Sequence, residues 1–265
     1  ELFEHTHWLI ASNAAEEITG DDFAMQTALR CDGRAKAVLV FEGGPVDERG
    51  WHIVTSRRGR STWKLDVEGK AAHAGSQHAL GINAIDALAL VLPSIAAWTS
   101  TVEERTVNLG RIGGGTVVNR VPHGAMAEWE CRAVTPAALA VADAFFASLS
   151  GQAANGAILR AERTGHTLAW PGGREVEALF QHWGDAASQM QLKAIPVSRG
   201  GLSDANHLWQ LGPTLDGLGP WGANAHCSER SADGFKLPEY LITSSIVPKT
   251  VMNVLAFIFL SKECA

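Results

Sequence analysis

The chain has 265 residues; 46% are hydrophobic, 19% are charged, and the formal net charge is −6. This composition is typical of a globular protein, and the acidic balance disfavours nucleic acid and anionic membranes as partners. The most apolar segment, residues 254–260, is too short to span a membrane. Four cysteines without paired spacing favour a reducing compartment, so we expect a cytoplasmic protein, or a periplasmic one if an N-terminal segment precedes this chain.

Two apolar runs near the start predict buried parallel strands that each end in carboxylates. Trp8–Asn13 is followed by Glu16 and Glu17, and Ala37–Phe41 is followed by Glu42. Ligands of open α/β sheets gather at the carboxyl ends of such strands. Three carboxylates at one edge would repel one another unless a cation held them together, so the pattern predicts a metal site. The alternative is that each carboxylate is an ordinary solvated loop residue.

The middle of the chain predicts a separate small domain in the order βαββαβ. Its predicted elements are a strand at Thr62–Val67, a helix over Ile82–Ile95, strands at Thr106–Ile112 and Ala125–Val134, a helix capped by Thr135-Pro136, and a strand at Ala157–Glu162. We therefore predict a ferredoxin-like α+β domain at residues 60–170, inserted into an α/β domain of mostly parallel strands and flanking helices at residues 1–59 and 171–265. The α/β domain should end in a C-terminal helix that starts at about Pro238 and is kinked at Pro248.

Two histidines lie among small residues that would let a ligand approach closely. His73 lies in Gly69–Gly75, and His226 lies in Gly222–Glu229. Taken alone, each histidine could equally be an ordinary loop residue.

The order of these motifs resembles the cocatalytic dinuclear zinc aminoacylase and carboxypeptidase family. That family includes glutamate carboxypeptidase, acetylornithine deacetylase and succinyl-diaminopimelate desuccinylase. The matching motifs, which extend over nearly the whole chain, are Glu-Glu, the strand-end Glu, Lys-Ala-Ala-His-Ala-Gly, Asn-Arg-Val-Pro and Gly-Ala-Asn-Ala-His-Cys-Ser-Glu.

The resemblance implies a zinc-exopeptidase-like catalytic domain with an inserted lid or dimerisation domain, and a homodimer. It implies two Zn²⁺ ions per active site, with Co²⁺ or Mn²⁺ as alternatives. The implied reaction is hydrolysis of an amide bond next to a free carboxylate, in a small peptide or an N-acyl amino acid. A glutamate carboxypeptidase-like metallopeptidase fits best, and an N-acyl amino acid deacylase is the alternative.

The resemblance also implies a role for each candidate residue. Glu16 is similar to the general base that activates a metal-bound water, and His73 to the histidine that stabilises the oxyanion. Glu17 and His226 resemble ligands of one zinc, and Glu42 resembles a ligand of the other. The implied substrate-binding residues are Asn119, Arg199 with its neighbours Gly200 and Gly201, and, as further candidates for a carboxylate clamp, Arg132 and Arg57. Asn119 could instead be a turn residue, and Arg199 a salt-bridged surface group.

One motif of the family does not occur in this sequence, namely an early His-x-Asp with a separate bridging aspartate after it. We therefore expect either that the native protein begins earlier or that it is a metal-deficient relative that binds without catalysis. The chain as given should bind metal weakly or at one site.

Overall fold

The structure, a computed structural model, describes residues 6–14, 21–31, 33–225 and 227–262. The chain forms two compact units. Unit 1 consists of Glu1–Arg57 and Trp170–Ala265, and unit 2 consists of Arg58–Ala169.

The elements follow one another in three groups along the chain. Unit 1 begins with α1 (Asp21–Arg30), β1 (Val38–Leu39), β2 (Val46–Asp47) and β3 (Gly50–Arg57). Unit 2 contains β4 (Gly59–Glu68), α2 (Ala84–Ala96), β5 (Thr106–Gly114), β6 (Gly124–Ala133), α3 (Pro136–Ser148), β7 (Gly151–Gln152) and β8 (Ile158–Thr167). Unit 1 resumes with α4 (Arg174–Gln189), β9 (Ala194–Arg199), α5 (Ala205–Leu208), β10 (Thr214–Leu215), β11 (Gly222–Ala223), β12 (Tyr240–Leu241) and α6 (Ile246–Lys262).

Unit 2 has the predicted βαββαβ order. Its antiparallel sheet has the strand order β5-β6-β4-β8-β7, which is the ferredoxin-like arrangement with one short strand added at the edge. Burial alternates strictly along β4 and β6, so one face of the sheet packs on the two helices. Trp63 and Leu65 from β4, Leu88 from α2 and Phe146 from α3 lie in this core.

Unit 1 contains short parallel strand pairs packed on helices. β1 pairs with β10, and β3 pairs with β9, both in parallel. Two backbone hydrogen bonds between Val54 and Asp216, of 2.8 and 3.0 Å, join these pairs. Within the described residues, the parallel pairing of the predicted sheet is limited to these two strand pairs, while β2 pairs with β3 and β11 pairs with β12 in antiparallel. The core beside them includes Trp183 of α4, whose indole donates to Asn253 of α6 at 2.8 Å.

The predicted strand at Trp8–Asn13 is wrong. Residues 6–14 have no regular secondary structure, and Ile10 is 90% exposed. The ring of Trp8 packs against Phe257 of α6, with 5.6 Å between centroids. An apolar run forms a strand only when a neighbouring strand pairs with it, and no described strand pairs with this segment.

The C-terminal helix begins later than predicted, at Ile246, and Pro248 lies in its first turn. Proline breaks no helical hydrogen bond there, which is why a kink was the wrong expectation. By length and composition alone, Thr243–Lys262 could cross a membrane, which corrects the expectation that no segment is long enough. The core helix of a globular protein passes the same test, and Met252, Asn253 and Ala256 of this helix are buried against unit 1.

Candidate functional site

Two loops of unit 2 place His73 and Asn119 beside each other. The backbone N–H of Ala74 donates to the carbonyl oxygen of Asn119 at 3.0 Å, and the N–H of Val121 donates to the carbonyl oxygen of Ala72 at 2.9 Å. Both the His73 and the Asn119 side chains are exposed. Backbone pairing thus brings together two loops that are distant in the sequence. The structure therefore brings together the loop of His73, to which the resemblance assigns the oxyanion, and the loop of Asn119, to which it assigns substrate binding.

The His73 ring accepts two hydrogen bonds from the turn that follows it. The backbone N–H groups of Gly75 and Ser76 donate to His73 Nδ1 at 3.1 and 3.2 Å. The N–H of Gln77 donates to the His73 carbonyl oxygen at 3.0 Å, which closes the turn. The ring orientation is therefore set by the main chain of its own loop.

A buried ion pair in unit 1 engages one of the predicted clamp arginines. Arg57 Nε donates to the carboxylate of Asp216 at 2.7 Å, and its terminal nitrogen donates to the Gly201 carbonyl oxygen at 2.9 Å. Asp216 is fully buried and also accepts from Ser203 Oγ at 2.7 Å. Since the Arg57 guanidinium is used inside the protein, the structure argues against its predicted role as a substrate clamp and gives it a structural one instead.

Arg199 has a different environment from Arg57, although the two are partners in the β3–β9 register. Its side chain is half-buried, and within the described part of the chain its guanidinium makes no hydrogen bond or ion pair. Burial lowers the pKa of Arg199, and the positive charge of Arg57 lowers it further, whereas Asp216 opposes both effects. Of the adjoining glycines, a Cβ on Gly200 would meet open space, whereas one on Gly201 would lie 3.7 Å from a terminal nitrogen of Arg57.

The third clamp candidate, Arg132, lies on β6 of unit 2. Its Nε donates to the carboxylate of Glu130 at 2.9 Å, so its charge is compensated within its own strand. Of the three arginines, only Arg199 is half-buried without an ion pair to a described carboxylate.

Glu42 is the only predicted metal ligand that lies within the described residues. It follows β1, its side chain is half-buried, and its carbonyl oxygen accepts from Gly219 N–H at 2.8 Å. The other three predicted residues of the metal site, Glu16, Glu17 and His226, lie outside the described residues. Among the residues that are described, no group of three His, Cys, Asp or Glu side chains could hold a metal ion. The described residues therefore do not by themselves fit a zinc centre.

Two ionisable residues near these elements did not figure in the sequence analysis. Asp216 directly follows β10, so it lies at a strand end, as Glu42 was predicted to do. Asp204 accepts a hydrogen bond from Asn13 at 2.8 Å, and burial raises its pKa. This bond places the end of the described segment 6–14 beside the loop that follows Arg199.

The fold defines a class: an α/β domain interrupted by a ferredoxin-like domain that presents a histidine and an asparagine on paired loops. Residues 55–156 match the family model of the M20 peptidase dimerisation domain. Residues 55–156 are thus similar to the dimerisation domain of M20 peptidases, and over this part of the chain the resemblance predicted from the motifs is confirmed.

Solved structures with a similar fold include those of an aminopeptidase, a tripeptidase and an amidase. The aminopeptidase PepT from Bacillus cereus has a TM-score of 0.69 and 20% identity, over 92% of this chain and 63% of that one. A tripeptidase from Staphylococcus aureus has a TM-score of 0.60 and 20% identity, over 92% and 61%. An amidase of the hydantoinase/carbamoylase family from Burkholderia phymatum has a TM-score of 0.60 and 18% identity, over 86% and 55%. This chain therefore spans less than two thirds of the length of each. No curated protein matches its sequence.

Proposed function

We propose that this protein is a metal-dependent amide hydrolase that cleaves an amide bond next to a free carboxylate. The observation that supports it most is the pairing of the His73 and Asn119 loops within an M20 dimerisation domain. Two neutral side-chain donors on adjacent loops are suited to an oxygen atom that gains negative charge during amide hydrolysis.

The proposed metal ligands are Glu17 and His226 for one zinc ion and Glu42 for the other, with Glu16 as the general base. A bound zinc ion would polarise the scissile carbonyl and lower the pKa of a bound water. Because only Glu42 lies among the described residues, its half-buried position after β1 is the structural support for this assignment.

Arg199 is the proposed clamp for the substrate carboxylate. Asp216 is already paired with the neighbouring Arg57. The positive charge of the half-buried Arg199 guanidinium is therefore left to be balanced by a ligand. Arginine matches a carboxylate in charge and in geometry, because it can donate two parallel hydrogen bonds.

Within this class we propose a carboxypeptidase that releases glutamate-like residues from a small peptide. An N-acyl amino acid deacylase is the second candidate, and the fold shared with an amidase of the hydantoinase/carbamoylase family supports it. Both enzymes would bind a substrate carboxylate, so the two candidate activities differ only in the group on the acyl side of the scissile bond. The M20 dimerisation domain supports a homodimer as the working form.

The test is hydrolysis of a panel of peptidyl and N-acyl glutamate, ornithine and diaminopimelate substrates by the longest native form, with zinc content measured. We expect turnover with bound zinc, and we expect His73→Ala to lower kcat roughly 10²- to 10³-fold, the usual effect of removing one oxyanion donor. His78→Ala, which changes an exposed histidine five positions on, should leave kcat unchanged. A longest native form that binds no zinc and cleaves nothing would instead support the metal-deficient binding protein.

A further inference from the structure

We infer that the backbone N–H groups of Gly75 and Ser76 hold His73 in the tautomer with its proton on Nε2, so that His73 acts as a neutral hydrogen-bond donor. This inference rests on the proposed function for the role of His73, but the tautomer itself can be measured without any substrate. Gly75 and Ser76 would thus be positioning residues for a reaction that they do not touch.

The first step of the argument is the direction of the hydrogen bonds. A backbone N–H can only donate, so Nδ1, at 3.1 Å from the Gly75 nitrogen and 3.2 Å from the Ser76 nitrogen, must present its lone pair. A neutral imidazole has one N–H, which then lies on Nε2. A ring protonated on both nitrogens would lose both of these bonds.

The second step is that the donors are held in place by more than the ring. The bond from Gln77 N–H to the His73 carbonyl oxygen closes the turn, and the bond from Ala74 N–H to the Asn119 carbonyl oxygen joins it to the next loop. The ring is not crowded by the turn, because even a Cβ added at Gly75 would lie 3.6 Å from His73 Cε1, an ordinary contact. The two donors therefore face Nδ1 because of the loop fold.

The third step is the chemistry that this arrangement permits. With Nδ1 occupied, the ring has only Nε2 available, and Nε2 carries the proton. His73 can then donate to an acceptor-only oxygen, such as a polarised carbonyl, an oxyanion or a carboxylate, and cannot take up a substrate proton at Nδ1. The neighbouring Asn119 amide adds further donors of the same neutral kind.

The decisive measurement is the tautomer of His73 in the wild-type protein, from long-range ¹H–¹⁵N correlation of ¹⁵N-histidine-labelled protein at a pH where the ring is neutral. His73→Gln identifies the His73 signals by their loss. The control is His78 of the same unit, which is exposed and whose ring makes no hydrogen bond within the described residues; its carbonyl oxygen accepts only from the backbone N–H of Gly81. We expect a single tautomer with Nε2 protonated for His73, and a solvent-averaged mixture for His78. A protonated Nδ1, or the same mixture at both histidines, would overturn the inference.

Ser76→Pro then tests whether the backbone N–H of residue 76 fixes the His73 tautomer, because proline has no N–H. Ser76→Ala keeps the N–H and serves as the matched control. We expect Ser76→Pro to move the His73 signals towards those of His78 and to lower kcat about tenfold, and Ser76→Ala to change neither. A folded Ser76→Pro protein with the wild-type His73 pattern would contradict the assigned role of the turn. If that variant does not fold, the comparison of the His73 and His78 tautomers in the wild-type protein decides whether the inference holds. A single tautomer in a protein that cleaves no amide would refute the proposed function and leave this inference intact.

Discussion

Lys249 is almost fully buried in unit 1, at 1% exposure, although its side chain ends in an ammonium group. Its Nζ donates to the carbonyl oxygen of Gly217 at 2.7 Å and more weakly to that of His52 at 3.3 Å. A Cβ on Gly44 would lie 2.2 Å from this Nζ and 1.9 Å from the Gly217 oxygen, so only glycine fits there. Lys249 thus links α6 to strand β3 and to the loop that follows β10.

Burial lowers the pKa of Lys249 from 10.5 to about 8, and Asp216 opposes this shift. The unfolded chain therefore binds more protons than the folded one between about pH 8 and pH 10.5, so the stability linked to Lys249 rises with pH in that window and is lost as pH falls through 8. We expect the free energy of unfolding of wild type relative to Lys249→Met to rise by up to about 3 kcal/mol across the window. Urea unfolding of both proteins at several pH values measures this difference. A difference that does not change with pH would show that the folded pKa is not depressed.

Arg57 and Arg199 show that a sequence does not distinguish the environments of two residues of the same type. Arg57 and Arg199 are both near strand ends, and both were predicted clamps. The partner that separates them, Asp216, is 159 positions from Arg57 in the chain, and only the fold brings the two together at 2.7 Å. No local pattern around Arg57 could have indicated that it is already paired.

Among the elements, α3 is the clearest case of local signals that predict a helix. Thr135 is the N-cap, and its side-chain oxygen accepts from Ala138 N–H at 3.1 Å, while Pro136 occupies the first turn. Thr135→Ala should destabilise the protein by about 1 kcal/mol, because the Ala138 N–H loses its partner at the helix end. Thr135→Ser keeps the acceptor oxygen, so we expect a much smaller loss. Chemical denaturation of the three proteins tests this, and equal losses for Ala and Ser would mean that the cap is not the cause.

The segment Trp8–Asn13 shows where element prediction failed. Its apolar residues favour a buried strand by composition, yet a strand also needs a partner for its backbone groups. Of the run predicted as a parallel strand at Ala37–Phe41, the two residues Val38–Leu39 pair with Thr214–Leu215 and form a strand, while Trp8 packs on α6. Composition was similar in both runs, and pairing across the chain made the difference.

At the scale of the whole molecule, each unit has its own hydrophobic core. The core of unit 2 is complete within Arg58–Ala169, and its ferredoxin-like sheet needs no strand from outside that range. We expect an isolated segment of residues 58–169 to unfold cooperatively and, because it contains the dimerisation domain, to form a dimer. Thermal unfolding followed by circular dichroism and light scattering after gel filtration measure both properties, with the full chain as the reference. A non-cooperative transition would contradict an independent core, and a monomer would contradict the proposed homodimer.

The sequence by itself determined the order of elements in unit 2, the cap of α3 and the similarity to an M20 dimerisation domain, because these depend on periodicity, capping residues and motifs that are local. It also singled out His73 and Asn119 as candidates. Only the tertiary structure decided that these two lie on paired loops, that the His73 ring accepts two backbone N–H groups, and that Arg57 is engaged by Asp216. These outcomes depend on contacts between distant parts of the chain, and such contacts form only when the backbone hydrogen bonds and buried charges of the whole fold are satisfied together.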